Sequence, residues 1–113
     1  MRYDHFVNVE TICRALLDHS HARGVWLVSR AGETLAILGD VAFSVDLLLD
    51  PPAQLGSERE CYVPIDGEPK RWLHVSLVGE RWLLAVVFDT RSSLGLVRLR
   101  AKQARERLAL ALQ

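Results

Sequence analysis

Apolar residues recur along this chain with two periods. Between residues 5 and 19, Phe6, Val9, Ile12, Cys13, Leu16 and Leu17 fall at steps of three and four. That spacing predicts an amphipathic helix with one buried stripe. Asp4 is placed to cap its free amides. The same spacing returns from Leu94, where Leu94, Val97, Ala101, Ala104, Leu108 and Ala111 or Leu112 form a core stripe. Ser92 or Ser93 is the cap. Roughly opposite, Leu96, Leu99, Gln103 and Leu110 form a second, thinner stripe. One stripe docks a helix on a sheet; a second means either deep burial or a partner.

Between the helices the pattern shortens to β-strands. Residues 25–29 and 34–38 flank a turn containing Gly32, which predicts a hairpin closed by Gly39 and Asp40. Residues 41–50 alternate well enough for a strand, yet Val41, Val45, Leu48 and Leu49 also suit a short helix capped by Asp40. Pro51-Pro52 ends either one. Residues 60–66 predict a strand with Cys61, Val63 and Ile65 on one face. Pro64 cannot donate to a ladder, so this strand belongs at a sheet edge. Residues 71–78 and 81–88 predict a second hairpin around a two-residue Gly79-Glu80 loop. That register pairs Leu77 with Trp82, Val75 with Leu84 and Leu73 with Val86, giving one wholly apolar face for the helices. Trp72, His74 and Ser76 then fall on a less covered face.

The expected architecture is a single α+β domain over residues 1–113. A five-stranded, mostly antiparallel sheet carries the N- and C-terminal helices on one face and a short third helical element on the other.

Composition narrows the function. Half of the 113 residues are hydrophobic and a quarter are charged, as in an ordinary globular protein. Fourteen basic and fourteen acidic residues cancel, which argues against nucleic acid as a partner. No apolar run approaches the roughly 20 residues of a bilayer span, and no signal-peptide pattern opens the chain. The expectation is a cytoplasmic protein with no membrane partner. The neutrality hides an uneven layout. Residues 32–68 hold one basic and eight acidic groups; residues 69–113 hold nine basic and three acidic. Such asymmetry reports either solvated faces or partner surfaces.

Candidate chemistry is sparse. No phosphate-binding glycine motif is present, so the chain is not read as a nucleotide enzyme. His19 and His21 could share a metal, but helix-end histidines also suit the helix dipole, and a site needs three or four convergent ligands. Cys13 and Cys61 read as structural thiols. Glu58 and Glu60, beside Arg59, read as a solvated charge run. Neither catalytic residues nor a cofactor or metal site is assigned, and the chain is expected not to be an enzyme.

Two stretches resemble the Roadblock/dynein light-chain family. Residues 24–36, Gly-Val-Trp-Leu-Val-Ser-Arg-Ala-Gly-Glu-Thr-Leu-Ala, are similar to its first hairpin. Residues 82–104 resemble the last strand and last helix of the bacterial MglB-type members: an apolar strand ending in Phe88-Asp89, then a helix opening Leu94-Gly95-Leu96-Val97-Arg98-Leu99. The resemblance covers residues 5–39 and 72–112. It implies a non-catalytic domain that regulates or scaffolds an MglA-type Ras-like GTPase in cell polarity and gliding motility. The partner would be the GTPase, an MglB-like Roadblock protein or another polarity factor. The family dimerises through its edge strand and second helix, which here involve Val41, Val45, Leu48, Tyr62 and Pro64. A homodimer is weakened by Pro64 and by the short second helix.

The candidate partner surface joins Leu96, Leu99 and Leu110 with the basic Arg98, Lys102 and Arg105, and with Trp72 and His74. These basic groups also suit a snorkelling role at the core boundary. The alternative function is a small-molecule-sensing α+β domain with a pocket under residues 41–57.

Overall fold

A computed structural model of the chain describes residues 3–41, 60–65 and 71–112, with side chains over 8–41 and 71–112. Helix α1 spans Tyr3–His19. Strands β1 (Gly24–Ser29), β2 (Thr34–Gly39), β3 (Glu60–Ile65), β4 (Arg71–Val78) and β5 (Trp82–Asp89) follow, and helix α2 spans Leu94–Ala111. The strands form one sheet in the order β2-β1-β5-β4-β3, and each neighbouring pair is antiparallel. The β3 strand, with Pro64, lies at an edge, where a missing amide costs least.

Both helices cover one face. Val9, Ile12, Cys13 and Leu16 of α1 meet Val25 and Leu27 of β1, Leu84, Val86 and Phe88 of β5, and Val97, Ala101, Ala104 and Leu108 of α2. The other face buries Trp26, Val28, Leu73, Val75, Leu83, Ala85 and Val87, with Val41 and Leu77 packed against them. The second sheet face is therefore buried, not thinly covered. The central strand β5 is apolar at almost every position because it is buried on both sides.

Several expectations need correction. The β4–β5 register differs by one residue from the expected one. The loop has three residues, Gly79 to Arg81, so Val78 pairs with Trp82, Leu77 with Leu83 and Leu73 with Val87. A one-residue slip moves every side chain to the opposite face. Leu73, Val75 and Leu77 therefore lie away from the helices. His74 and Ser76, opposite Val86 and Leu84, lie beneath them and are 0% and 1% exposed. The uniform run of β5 satisfies either register, so it holds no information to choose between them.

The helix ends also shift. Helix α1 begins at Tyr3, before Asp4, so Asp4 lies in its first turn and is not the residue that precedes it. Leu94 is exposed and does not belong to the core stripe. Ser93 caps α2, its Oγ accepting the Leu96 amide at 3.1 Å. Ser92 instead donates its hydroxyl to the His21 carbonyl at 2.7 Å. The third helical element, Val45, Leu48 and the pocket under 41–57 fall on 42–59, outside the described residues. The side-chain readings for Phe6, Cys61, Tyr62 and Pro64 also lie outside them.

Cys13 is a core thiol. Burial, with the Glu10 carboxylate adding to it, pushes its ionisation from 9.0 up to about 12. Between those values the unfolded chain has released the proton and the folded chain has not. Stability therefore falls as pH rises from about 9 to about 12. Cys13→Ala should flatten that fall, measured as urea midpoints at pH 8 and pH 10. The wild-type thiol should resist iodoacetamide until the domain unfolds.

Candidate functional site

Helix α2 presents a buried side and an opposite exposed side. Val97, Ala101, Ala104 and Leu108 face the sheet. Leu99 and Leu110 are eleven residues apart, three turns of helix, and so project from one face. They are 49% and 70% exposed, while Leu96 is half-buried. The second stripe is thus largely uncovered. Arg98 and Lys102 are exposed and Arg105 is half-buried, along one flank of that face.

The hairpin residues divide. Trp72 is half-buried and stacks on Phe88, ring centroids 5.9 Å apart and planes at 28°. His74 is fully buried and is removed from the candidate surface. The expectation of His74 on a less covered face rested on the wrong register. Val41 is half-buried against the second face of the sheet. Tyr62 and Pro64 occupy the β3 edge by position, paired with His74 and Trp72.

A polar junction that the sequence did not reveal ties the elements together. Asp89 ends β5 with its side chain 5% exposed. Its carboxylate faces Arg23 and Arg91 at 3.4 Å each and accepts the Arg91 amide at 2.9 Å. Around it, the Arg23 amide donates to the Val87 carbonyl at 2.7 Å, and the Asp40 amide to the Arg23 carbonyl at 2.8 Å. Asp40 also accepts from Arg71 at 2.9 Å. The end of α1, the start of β1, the end of β2 and the loop into α2 thus meet at one place. An open hollow of about 770 Å³ beside it is bounded by Asp18, His21, Arg23, Asp40 and Arg91. Its lining carries both signs of charge, and each Arg named at the junction already faces a carboxylate. The only sequence signal for the junction was the Phe88-Asp89 strand end, and that pointed to likeness, not to ion pairing.

Among the described residues, no three His, Cys, Asp or Glu side chains converge to hold a metal. No described helix is long and apolar enough to cross a membrane.

Two helices on one face of this sheet order define a Roadblock-type fold, shared with the Roadblock/LC7 domain from Streptomyces avermitilis (16% identity, 91% of this chain and 96% of that chain, TM-score 0.66). Within that class the fold is MglB-like. Myxococcus xanthus MglB matches at 25% identity over 99% of this chain and 92% of that chain, with a TM-score of 0.72. The gliding protein MglB from Thermus thermophilus matches at 24% identity over 98% of this chain and 93% of that chain, with a TM-score of 0.72. No protein-family model and no curated protein sequence matches the chain.

Proposed function

We propose that this chain is a non-catalytic interaction domain of an MglA-type, Ras-like GTPase polarity and motility system. It binds the GTPase, an MglB-like Roadblock protein or another polarity factor, in a bacterial cytoplasm. The observation that carries the reading is the exposed leucine face of α2 on an MglB-like fold. A face with two large apolar side chains in water is a cost that a partner relieves. The contact set is Leu96, Leu99, Leu110, Arg98, Lys102 and Arg105, with Trp72 at its border. A homodimer through Val41, Val45, Leu48, Tyr62 and Pro64 is weakened, because Pro64 supplies no amide to an intermolecular ladder.

The test is a pull-down with a purified MglA-like GTPase and an MglB-like protein at tens of micromolar. Leu99→Glu and Leu110→Glu should each weaken the complex at least tenfold while leaving the unfolding midpoint nearly unchanged. Binding by neither protein removes the proposal's support.

A further inference from the structure

We propose that the groove between α1 and α2 binds one small monovalent anion of chloride size, which ties the two helices together. The inference goes beyond the GTPase reading and does not depend on it, because it concerns the packed side of α2 and not its exposed leucines. The groove has an apolar floor of Ile12, Leu16 and Ala104, all buried in the core. Its rim carries His19 from the end of α1, and Arg100, Gln103 and Arg107 from α2. The space between them is about 40 Å³. That is room for a water molecule or two, or for one halide, and too little for a peptide segment.

The chemistry of the rim selects the occupant. Among the described residues, no carboxylate lines the groove. Arg100 donates from Nη1 to Gln103 Oε1 at 3.1 Å, which leaves the Gln103 amide nitrogen as a further donor. The Nε of Arg100 is shut off from solvent and, among the described residues, has no hydrogen-bond partner. A buried N–H of a charged group without an acceptor is costly, more so than a neutral one. A water would answer that N–H, but it needs acceptors for its own hydrogens. The rim is poor in them: guanidiniums have none, and Gln103 Oε1 is already engaged. An anion only accepts. It takes the Arg100 Nε–H, the Gln103 amide and the Arg107 fork together, with His19 closing the α1 side. Charge-assisted bonds of this kind are the stronger ones. The apolar floor keeps competing water away and so strengthens them. The small volume admits a single atom and rejects the four oxygens of sulfate or phosphate.

The experiment uses the whole chain, labelled with nitrogen-15, in a gluconate buffer whose anion is exchanged for chloride at constant ionic strength. The Arg100 Nε–H resonance, identified by its loss in Arg100→Lys, should shift along a saturating curve. Those of Arg30 and Arg81, exposed in the β1–β2 and β4–β5 loops, should move little and without saturation. Bromide should follow chloride, and sulfate at equal ionic strength should bind at least fivefold more weakly. The same exchange should raise the urea midpoint of the wild type but not of Arg100→Lys, because a single ammonium lacks the fork that serves Gln103 and the ion together. Circular dichroism checks that the variant folds. Four results would each overturn the proposal: no saturating shift at Arg100, an equal one at Arg30 and Arg81, an unchanged chloride response in Arg100→Lys, or tighter binding of sulfate, the mark of an ordinary cationic surface. None of them bears on the GTPase pull-down, which reads the opposite side of α2.

Discussion

Asp89→Ala should lower the unfolding free energy by about 3 kcal/mol, the scale expected when one member of a buried ion pair is removed. The carboxylate is 5% exposed and answers two guanidiniums and one backbone amide. Its loss leaves Arg23, only 31% exposed, beside an empty site. The loop into α2 also loses the bond that orders Arg91. Arg91→Ala should cost much less, below about 1 kcal/mol, because that side chain is 67% exposed and solvent replaces the partner. Urea unfolding of both single variants and the double variant measures the coupling. If Asp89→Ala costs no more than Arg91→Ala, the junction is held by its backbone bonds and not by the carboxylate.

Gly39→Ala should also cost about 3 kcal/mol, from a left-handed backbone and from overlap with fixed atoms. Gly39 has φ +74°, and an added Cβ would lie 2.3 Å from the Arg23 carbonyl oxygen. That oxygen cannot simply retreat, because it accepts the Asp40 amide at 2.8 Å. Gly24 lies opposite, and there a Cβ would meet the Asp40 carbonyl oxygen at 2.4 Å. The two glycines let β1 and β2 close beside the polar junction. Gly79 is the control. Its φ is +64°, but nothing lies within 4 Å of an added Cβ. Gly79→Ala should cost about 1 kcal/mol, the backbone part alone. Chemical denaturation of the two alanine variants should separate them by about 2 kcal/mol if overlap, and not φ, dominates at Gly39.

Parts of the fold were legible because their residues report only on their own neighbourhood. The stripe Val9, Ile12, Cys13 and Leu16 defines a helix without reference to anything else. The spacing of Val97, Ala101, Ala104 and Leu108 does the same. Pro64 marked an edge strand, because a missing donor is a property of one residue. The exposed Leu99 and Leu110 were legible as a second stripe, though burial alone could decide whether solvent reached them. The error at His74 had the opposite origin. Its face depends on how β4 pairs with β5, and a seven-residue apolar run accepts either register. A three-residue loop decided the matter, and the imidazole lies on the face beneath the helices, not on the less covered one.

The candidate site divides along the same line. The charge of α2 and the positions of its leucines can be counted from the chain. That Arg100 and Arg107 of α2 line a narrow groove with Ala15 and His19 of α1 requires the crossing of two helices. Likewise, Arg23, Asp40, Asp89 and Arg91 are separated by up to 68 residues, and no local pattern links them.

By itself, then, the sequence determined the helices, the first hairpin, the edge strand and the uneven charge, since hydrophobic period and single-residue geometry act locally. Only the tertiary structure decided which face each residue of β4 occupies, which polar groups share the junction at Asp89, and which side of α2 meets α1. Those outcomes depend on strand register and helix packing, where side chains distant in the chain exclude water from one another.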